Sequence, residues 1–384
     1  GIDVDNRSSQ LSALALYVKA KELTPDAEIS QLNIISADAV LMNGEKKEKL
    51  LEKCDLSVEK EVIEEIWDNF QHLDERGSLV KIEEPVRQKI SEHKAQLSQE
   101  DNKQRFLKQF TDQEIREKQS TGQQKLAESV STEEYWDAIE DRMVHRVREL
   151  GEEAIQAQDM SEQLFATETE KTLHLLDYLM GDYDCVVANP PYLSNPNMSD
   201  SISSYLQSQY PDSSYDMYAS FMERARDYCS DSGKVGMITQ HTFLFLVTYS
   251  ELREKLISEN SLETNIHLGP NTFEEISGEK ANFNMFTLDE RNLGGETLFC
   301  RLVDHKNKKK GLEESLYGNK SENQKNIYRK GLSGFSHVPS KPFVYWADEN
   351  VLKYFDERPS LKSKYSGNLR AGIITGDVPG RTRE

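Results

Sequence analysis

The spacing of apolar positions changes several times along the 384-residue chain, and those changes divide it. Gly1-Ile2-Asp3-Val4-Asp5 reads as a short strand ending in acid-x-acid. In the following RSSQLSALALYVKAKE, Leu11, Leu14, Ala15 and Val18 fall at helical spacing. LNIISADAVL, residues 32–41, predicts the next strand. From about residue 45 to 172 the text turns to Glu, Lys and Gln. There EKKEKLLEKCDLSVEKEVIEEIWDNF and EEYWDAIEDRMVHRVRELGEEAIQAQ predict amphipathic helices, with Leu51, Ile63, Ile66, Trp67 and Phe70 as packing stripes. RGSLVKIEEP at 76–85 predicts a short extended stretch between them. Beyond it, YDCVVA and GKVGMITQHTFLF predict strands, and SYDMYASFMERARDYC and YSELREKLISEN predict helices. TNIHLGPNTF and KANFNMFTL predict a closing antiparallel pair. Strands alternating with helices make this an α/β chain.

One strand ends in a way that carries chemistry. The run Tyr183-Asp184-Cys185-Val186-Val187-Ala188 breaks directly into Asn189-Pro190-Pro191-Tyr192. Two prolines place a rigid backbone without N–H groups at the carboxyl edge of a sheet, where open α/β sheets bind their ligands. The Asn189 side-chain carbonyl and the Pro190 backbone carbonyl can both accept from one amino group, and Tyr192 offers a face for a planar base. Two acceptors aimed at one NH2 draw its lone pair out of conjugation, which orients it for methylation without a covalent intermediate. The plainer alternative is a Pro-Pro strand terminator.

The surrounding text resembles a known family. YDCVVANPPYLSNPNMSD, SSYLQSQYPDSSYDMYASFMERA, GKVGMITQHTFLF and NIHLGPNTFEEISGEKANFNMF are similar to the PglX-type adenine-specific DNA methyltransferases of BREX phage-resistance systems and to the related fused restriction–methylation enzymes. The likeness is weakest across roughly residues 45–170. It implies a Rossmann-like class I methyltransferase sheet and transfer of a methyl group from S-adenosylmethionine to adenine N6 in double-stranded DNA. The implied division is core at 1–44, helical insert at 45–172, core with the Asn-Pro-Pro-Tyr loop at 173–300, and the start of a target-recognition domain at 301–384.

Site residues follow from both lines of reasoning. Asp3 and Asp5, at a strand end before a helix, suit the cofactor's ribose hydroxyls, while Asp5 equally suits a helix N-cap. By resemblance, Asp38 contacts the cofactor adenine and Asp216 lies near its methionine end; an ordinary strand-end turn suits Asp38 as well. Phe273 corresponds to an aromatic packed on the far face of the flipped base, with core packing as the alternative. Reaching N6 requires unstacking the adenine, so an aromatic clamp of Tyr192 with a second ring is expected. The family's glycine-rich loop and first strand, which would precede Gly1, are missing from this span. That predicts an internal fragment that binds cofactor poorly on its own.

Charge refines the picture. The formal net charge is −20. Residues 1–180 carry 39 acidic and 23 basic side chains, residues 181–300 carry 18 and 7, and residues 301–384 carry 10 and 17. DNA phosphates need lysine and arginine, so a DNA-facing surface is expected in the last segment, with HKNKKK at 305–310 either part of it or a solvated loop. Cys54, Cys185, Cys229 and Cys300 lie far apart without metal-ligand spacing, which predicts free thiols, no metal and a cytoplasmic setting. No segment has the apolar length of a membrane span. Double-stranded DNA and other defence-system proteins are the expected partners. Two other functions share these features: a methyltransferase acting on protein glutamine, whose carboxamide also has an NH2, and a non-catalytic DNA- or protein-binding scaffold. A fused nuclease would lie outside this span.

Overall fold

The computed structural model describes residues 1–29, 32–37, 181–273, 281–291, 294–317 and 326–357, with shorter stretches between 48 and 92 and between 174 and 180. It divides into two units, Gly1–Asp182 and Tyr183–Glu384.

In the first unit, β1 (Ile2–Asp3) pairs in parallel with β2 (Ile35–Ser36), and α1 (Asn6–Leu23) connects them. Asp5 starts the helix by accepting from the Arg7 N–H at 2.9 Å. The buried face of α1 is not the one its apolar spacing predicts. Ser9 is buried, with its Oγ donating to the Ile35 carbonyl at 3.4 Å, whereas Leu11, Leu14, Ala15 and Val18 are exposed. Among the described residues a two-stranded sheet is what packs on α1, and it covers only part of an eighteen-residue helix. Of the expected helical insert, α2 (Ser57–Phe70), with Trp67 buried, and the single turn α3 (Leu73–Arg76) are described. The stretch expected to be extended from residue 76 instead begins as a 3-10 turn, Gly77–Leu79, because the chain passes through Gly77 at φ 52°. Val80 and Ile82 beyond it are buried.

The second unit is built on a six-stranded mixed sheet. Its strands are β3 (Tyr183–Ala188), β4 (Cys229–Gln240), β5 (Leu262–Gly269), β6 (Phe283–Asp289), β7 (Thr297–Arg301) and β8 (Ile327–Lys330). Their spatial order is β3-β4-β6-β5-β7-β8. β3, β4, β5 and β7 run one way and β6 and β8 the other, so four strands end at one carboxyl edge. Helices α4 (Asp200–Gln209), α5 (Met217–Asp227), α6 (Ser250–Ser258), α7 (Lys308–Tyr317) and α8 (Glu349–Glu357) complete it.

Period-two burial explains β4. Val235, Met237 and Thr239 are buried, and the residues between them are only partly covered. The inward residues meet Tyr218, Met222 and Ala225 of α5 and Leu252 and Leu256 of α6, with Phe286, Leu288 and Phe299 from the neighbouring strands. β3 is an edge strand bonded only to β4 among the described residues, and Val187 is 78% exposed.

The expected boundary at 300/301 is not a structural break. β7 crosses it, β8 adds a sixth strand, and Leu332, Phe335, Phe343 and Tyr345 are core residues of the same unit. Tyr345 stacks on Phe299 with ring centroids 4.7 Å apart and planes 6° apart. Phe335, Phe343 and Tyr345, from the segment expected to open a recognition domain, belong to the sheet's hydrophobic core, while Tyr317, Trp346, Tyr354 and Phe355 are exposed.

A buried arginine ties this later segment down. Arg253 of α6 is fully buried and donates to three backbone carbonyls: Lys341 (2.8 Å), Phe243 (2.6 Å) and Ser340 (2.5 Å). Ser340 and Lys341 hold positive φ of 63° and 50°, so the arginine supports a turn that side chains disfavour. Arg253→Ala would leave three carbonyls without their donor. It is expected to destabilise the unit by roughly 3 kcal/mol or more. Urea denaturation would show a lower midpoint; an unchanged midpoint would refute the assignment.

Candidate active site

Pro190 and Pro191 have no N–H to continue a ladder, so β3 stops at Ala188, opposite Met237 of β4. The backbone beyond must find other partners, and it finds them on the segment leading into α5. Asn195 N donates to Tyr215 O at 2.9 Å, Met217 N donates to Leu193 O at 3.0 Å, and Ser194 forms a β-bridge with Asp216. The loop that begins at Asn189 is thus stapled to the start of a helix buried against the sheet.

Asp216 fastens that staple. Its carboxylate caps α5 by accepting from the Tyr218 N–H at 3.3 Å, and it also accepts from the Leu193 backbone. The residue is only 5% exposed. Burial pushes its carboxyl up to about 6 from an ordinary 3.8, although the two N–H donors pull the other way. The sequence placed Asp216 at the helix start; its inward orientation and its bond to Leu193 come from the structure.

Asn189 is exposed at the tip of the edge, and Pro190 is buried beneath it. Tyr192 is folded inward. Its hydroxyl lies 2.6 Å from Asn189 Oδ1 and 3.2 Å from the Ile238 carbonyl, so a single O–H serves the amide oxygen and reaches the end of β4. Its ring packs at 5.6 Å on Phe283 and edge-on at 6.4 Å against Tyr218, whose hydroxyl shares a 2.7 Å hydrogen bond with Thr242. Partial burial raises the Tyr192 phenol above its ordinary range. Phe273 meets Phe283 edge-on at 4.9 Å. The rings therefore form a row, Tyr218, Tyr192, Phe283, Phe273, in which Phe283 separates the two aromatics that the sequence paired. Phe283 opens β6 between Asn282 and Asn284, and nothing in its spacing distinguished it from core.

Past the end of β4 lies a polar chain with no sequence signal. His241 Nδ1 is 2.7 Å from His267 Nε2, and His267 Nδ1 is 2.9 Å from the Tyr345 hydroxyl. Burial, then the neighbouring His241, Arg301 and Lys308, push His267 down to about 3. Burial also lowers His241. Both rings are neutral at pH 7, and each one's tautomer fixes the other's. The chain joins the ends of β4 and β5 to the buried Tyr345.

In the first unit, Asp3 Oδ1 accepts from Asp5 N at 2.9 Å and Asp5 Oδ1 accepts from Arg7 N at 2.9 Å. Both residues are exposed. Each carboxylate commits one oxygen to holding the strand-to-helix turn, and the second oxygens have no protein partner among the described residues. Capping and binding of a diol are therefore compatible at Asp5. Asp38 lies outside the described residues.

Comparison with known proteins agrees with the resemblance drawn from the sequence. The chain matches the Eco57I restriction-modification methylase family over residues 1–273. It is 28% identical over 243 residues to the adenine-specific methyltransferase PglX of Lacticaseibacillus casei (strain Zhang), covering 62% of this chain and 20% of that protein. It is 30% identical over 184 residues to the adenine-specific methyltransferase BrxX of Escherichia coli O9:H4 (strain HS), covering 47% and 15%. The chain thus spans about a fifth or less of these relatives. Among solved structures, the methyltransferase subunit of a type I restriction-modification system from Streptococcus thermophilus aligns at 14% identity with a TM-score of 0.33, covering 46% of this chain and 45% of that one. With well over half its length matched, the chain belongs to the Eco57I restriction-modification methylase family.

Proposed function

We propose that this chain carries the amine-methylating centre of an adenine-N6 DNA methyltransferase that acts on a specific double-stranded sequence by base flipping, in phage defence of the BREX type. The observation that carries the reading is Asn189-Pro190-Pro191-Tyr192 at the carboxyl end of β3, held to α5 and presenting Asn189 at the tip. Membership of the restriction-modification methylases and likeness to adenine-specific relatives support it.

S-adenosylmethionine would supply an electrophilic methyl group. Asp3 and Asp5 suit its ribose, because each has a carboxylate oxygen to spare beside a rigid turn. Asp38 is proposed for its adenine. Asp216 is proposed to act near its methionine end mainly by fixing the loop, since its own carboxylate already has backbone donors. Asn189 Oδ1 and the Pro190 carbonyl would accept the two N–H bonds of adenine N6, leaving its lone pair aimed outward. Tyr192 and Phe273 are proposed to contact the base. In the observed state the Tyr192 hydroxyl occupies Asn189 Oδ1, so the incoming amine takes the place of that hydroxyl. The ring would then be released to stack.

Methyl incorporation into duplex DNA by the full-length protein tests the reading. Asn189→Ala is expected to lower transfer by about 10²- to 10³-fold, as for loss of a preorganised polar group in a reacting site. Equal methylation by wild type and this variant would sink the proposal. Tyr192→Phe keeps the stacking face and is expected to retain transfer. Tyr192→Ala should raise KM by about 5- to 150-fold, equivalent to 1–3 kcal/mol of stacking.

Asp216 gives a pH signature. Its carboxyl titrates near 6 in the folded chain against 3.8 when free, so between those values the folded state binds a proton that the unfolded state lacks. Stability is therefore greatest below this window and falls as pH rises through about 6. Asp216→Asn lacks that dependence, so its unfolding free energy should gain on wild type between pH 5 and 7. Parallel denaturation curves across that range would refute the buried-carboxylate account.

A further inference from the structure

We propose that the exit of β7 is a phosphate-backbone contact for the same DNA duplex, made by Lys306 and Lys309 with Lys310 beside them; this rests on the DNA reading above. The argument begins with which positive charges are unspent. Between residues 181 and 300 every described lysine and arginine already has a partner. Arg226 pairs with Glu259 and Glu290, Lys234 with Glu263 and Asp289, Lys255 with Glu223, and Arg291 with Asp289. Arg224 reaches Asp227 and Arg253 serves backbone carbonyls. Each of these already faces a carboxylate or a carbonyl, so a polyanion would have to compete with an existing partner, and Arg224 and Arg253 are buried besides.

The segment after β7 is different. Within it, Arg301 pairs with Asp304 at 2.8 Å, and Lys308 is turned back onto the Leu302 and Val303 carbonyls at 3.0 and 3.2 Å. His305 is held by Asn326 at 2.9 Å. Lys306 and Lys309 are exposed and make no ion pair among the described residues, and Lys310 has only a solvent-exposed pair with Glu314 at 3.6 Å. Asn307 caps α7 by accepting from Lys310 N at 2.9 Å, so these lysines stand on an ordered turn.

Topology sets where that charge lies. β7 is parallel to β5, and both run in the direction of β3 and β4, so the chain leaves β7 at the same sheet edge that presents Asn189. Four strand spacings separate β3 from β7, roughly 19 Å at about 4.8 Å each. The two grooves of B-DNA, about 12 and 6 Å wide, span a similar distance. A duplex whose flipped adenine enters beside Asn189 can therefore lay a flanking backbone across Lys306 and Lys309. In a chain of net charge −20, a local cationic edge also restricts DNA to the face where the chemistry is.

Salt dependence of duplex binding by the full-length protein separates the possibilities. Each phosphate neutralised contributes about 0.9 to the slope of log affinity against log salt. Lys306→Gln with Lys309→Gln is expected to weaken binding at low salt and flatten the slope by about 1.8. A control of equal charge change, Lys19→Gln with Lys60→Gln on α1 and α2, should leave the slope as in wild type. A wild-type slope in the β7-exit variant, with DNA still bound, overturns this contact and leaves the methyltransferase reading standing. An equal change in the control shows a net-charge effect and also overturns it. Failure of the wild type to bind any duplex removes the contact together with the DNA reading.

Discussion

Two missing backbone N–H groups govern the centre of this molecule. A strand that could continue past Ala188 would stay in register with β4, and its side chains would alternate across the sheet. Pro190 and Pro191 forbid this, so the backbone leaves the ladder while still needing hydrogen-bond partners. It obtains them from residues 215–217, through Asn195, Met217 and the buried Asp216. The same detour leaves Asn189 exposed and brings the Tyr192 hydroxyl to the Ile238 carbonyl at the end of β4. A strand terminator and the loop proposed for methylation are here one structure: the interruption that ends the ladder creates the exposed amide.

The parts legible in sequence were those whose physics is local. Alternation in KVGMITQ, the interspersed apolar positions of β5 and β6, and helical spacing in α5 and α6 each reflect side chains a few residues apart facing one core. The break of β3 at Asn189 was legible because two adjacent prolines end a ladder locally. What the sequence hid depends on partners far along the chain. Arg253 serves carbonyls 87 and 88 residues away, His267 meets Tyr345 across 78 residues, and Phe299 stacks on Tyr345. That last contact also explains the boundary expected at 300/301. A basic segment suggests a new domain, yet Phe335, Phe343 and Tyr345 within it join the core of the existing sheet. α1 shows the opposite case, a correct helix whose apolar stripe meets nothing among the described residues.

Charge follows the same division between local and distant. The acidic excess of residues 181–300 is partly spent in holding the unit together, since Glu223, Glu259, Glu263, Asp289 and Glu290 all face a cation. Arg226 illustrates the economy. It bridges the end of α6 to the end of β6 through Glu259 and Glu290, and their charges raise its already high pKa despite burial. Counting charges by segment therefore overstates what a polyanion meets. The potential at the sheet edge depends on which cations remain after such pairs form, and that selection is made by the fold.

The bond between Tyr192 and Asn189 bears on how such a site can be selective. Asn189 Oδ1 has a donor at 2.6 Å in the Tyr192 hydroxyl, so that acceptor is satisfied within the loop itself. On the proposed chemistry, an exocyclic amine replaces one N–H or O–H donor with another, and the exchange costs little net hydrogen bonding. A base that presents a carbonyl at that position offers no donor. It would separate Tyr192 from Asn189 and leave two acceptors facing each other, an arrangement that can discriminate by several orders of magnitude. On that proposal the hydroxyl is a placeholder for an NH2 group, and rejection of thymine and guanine at that position would follow from the loop's own hydrogen bonds, before any reading of the flanking sequence.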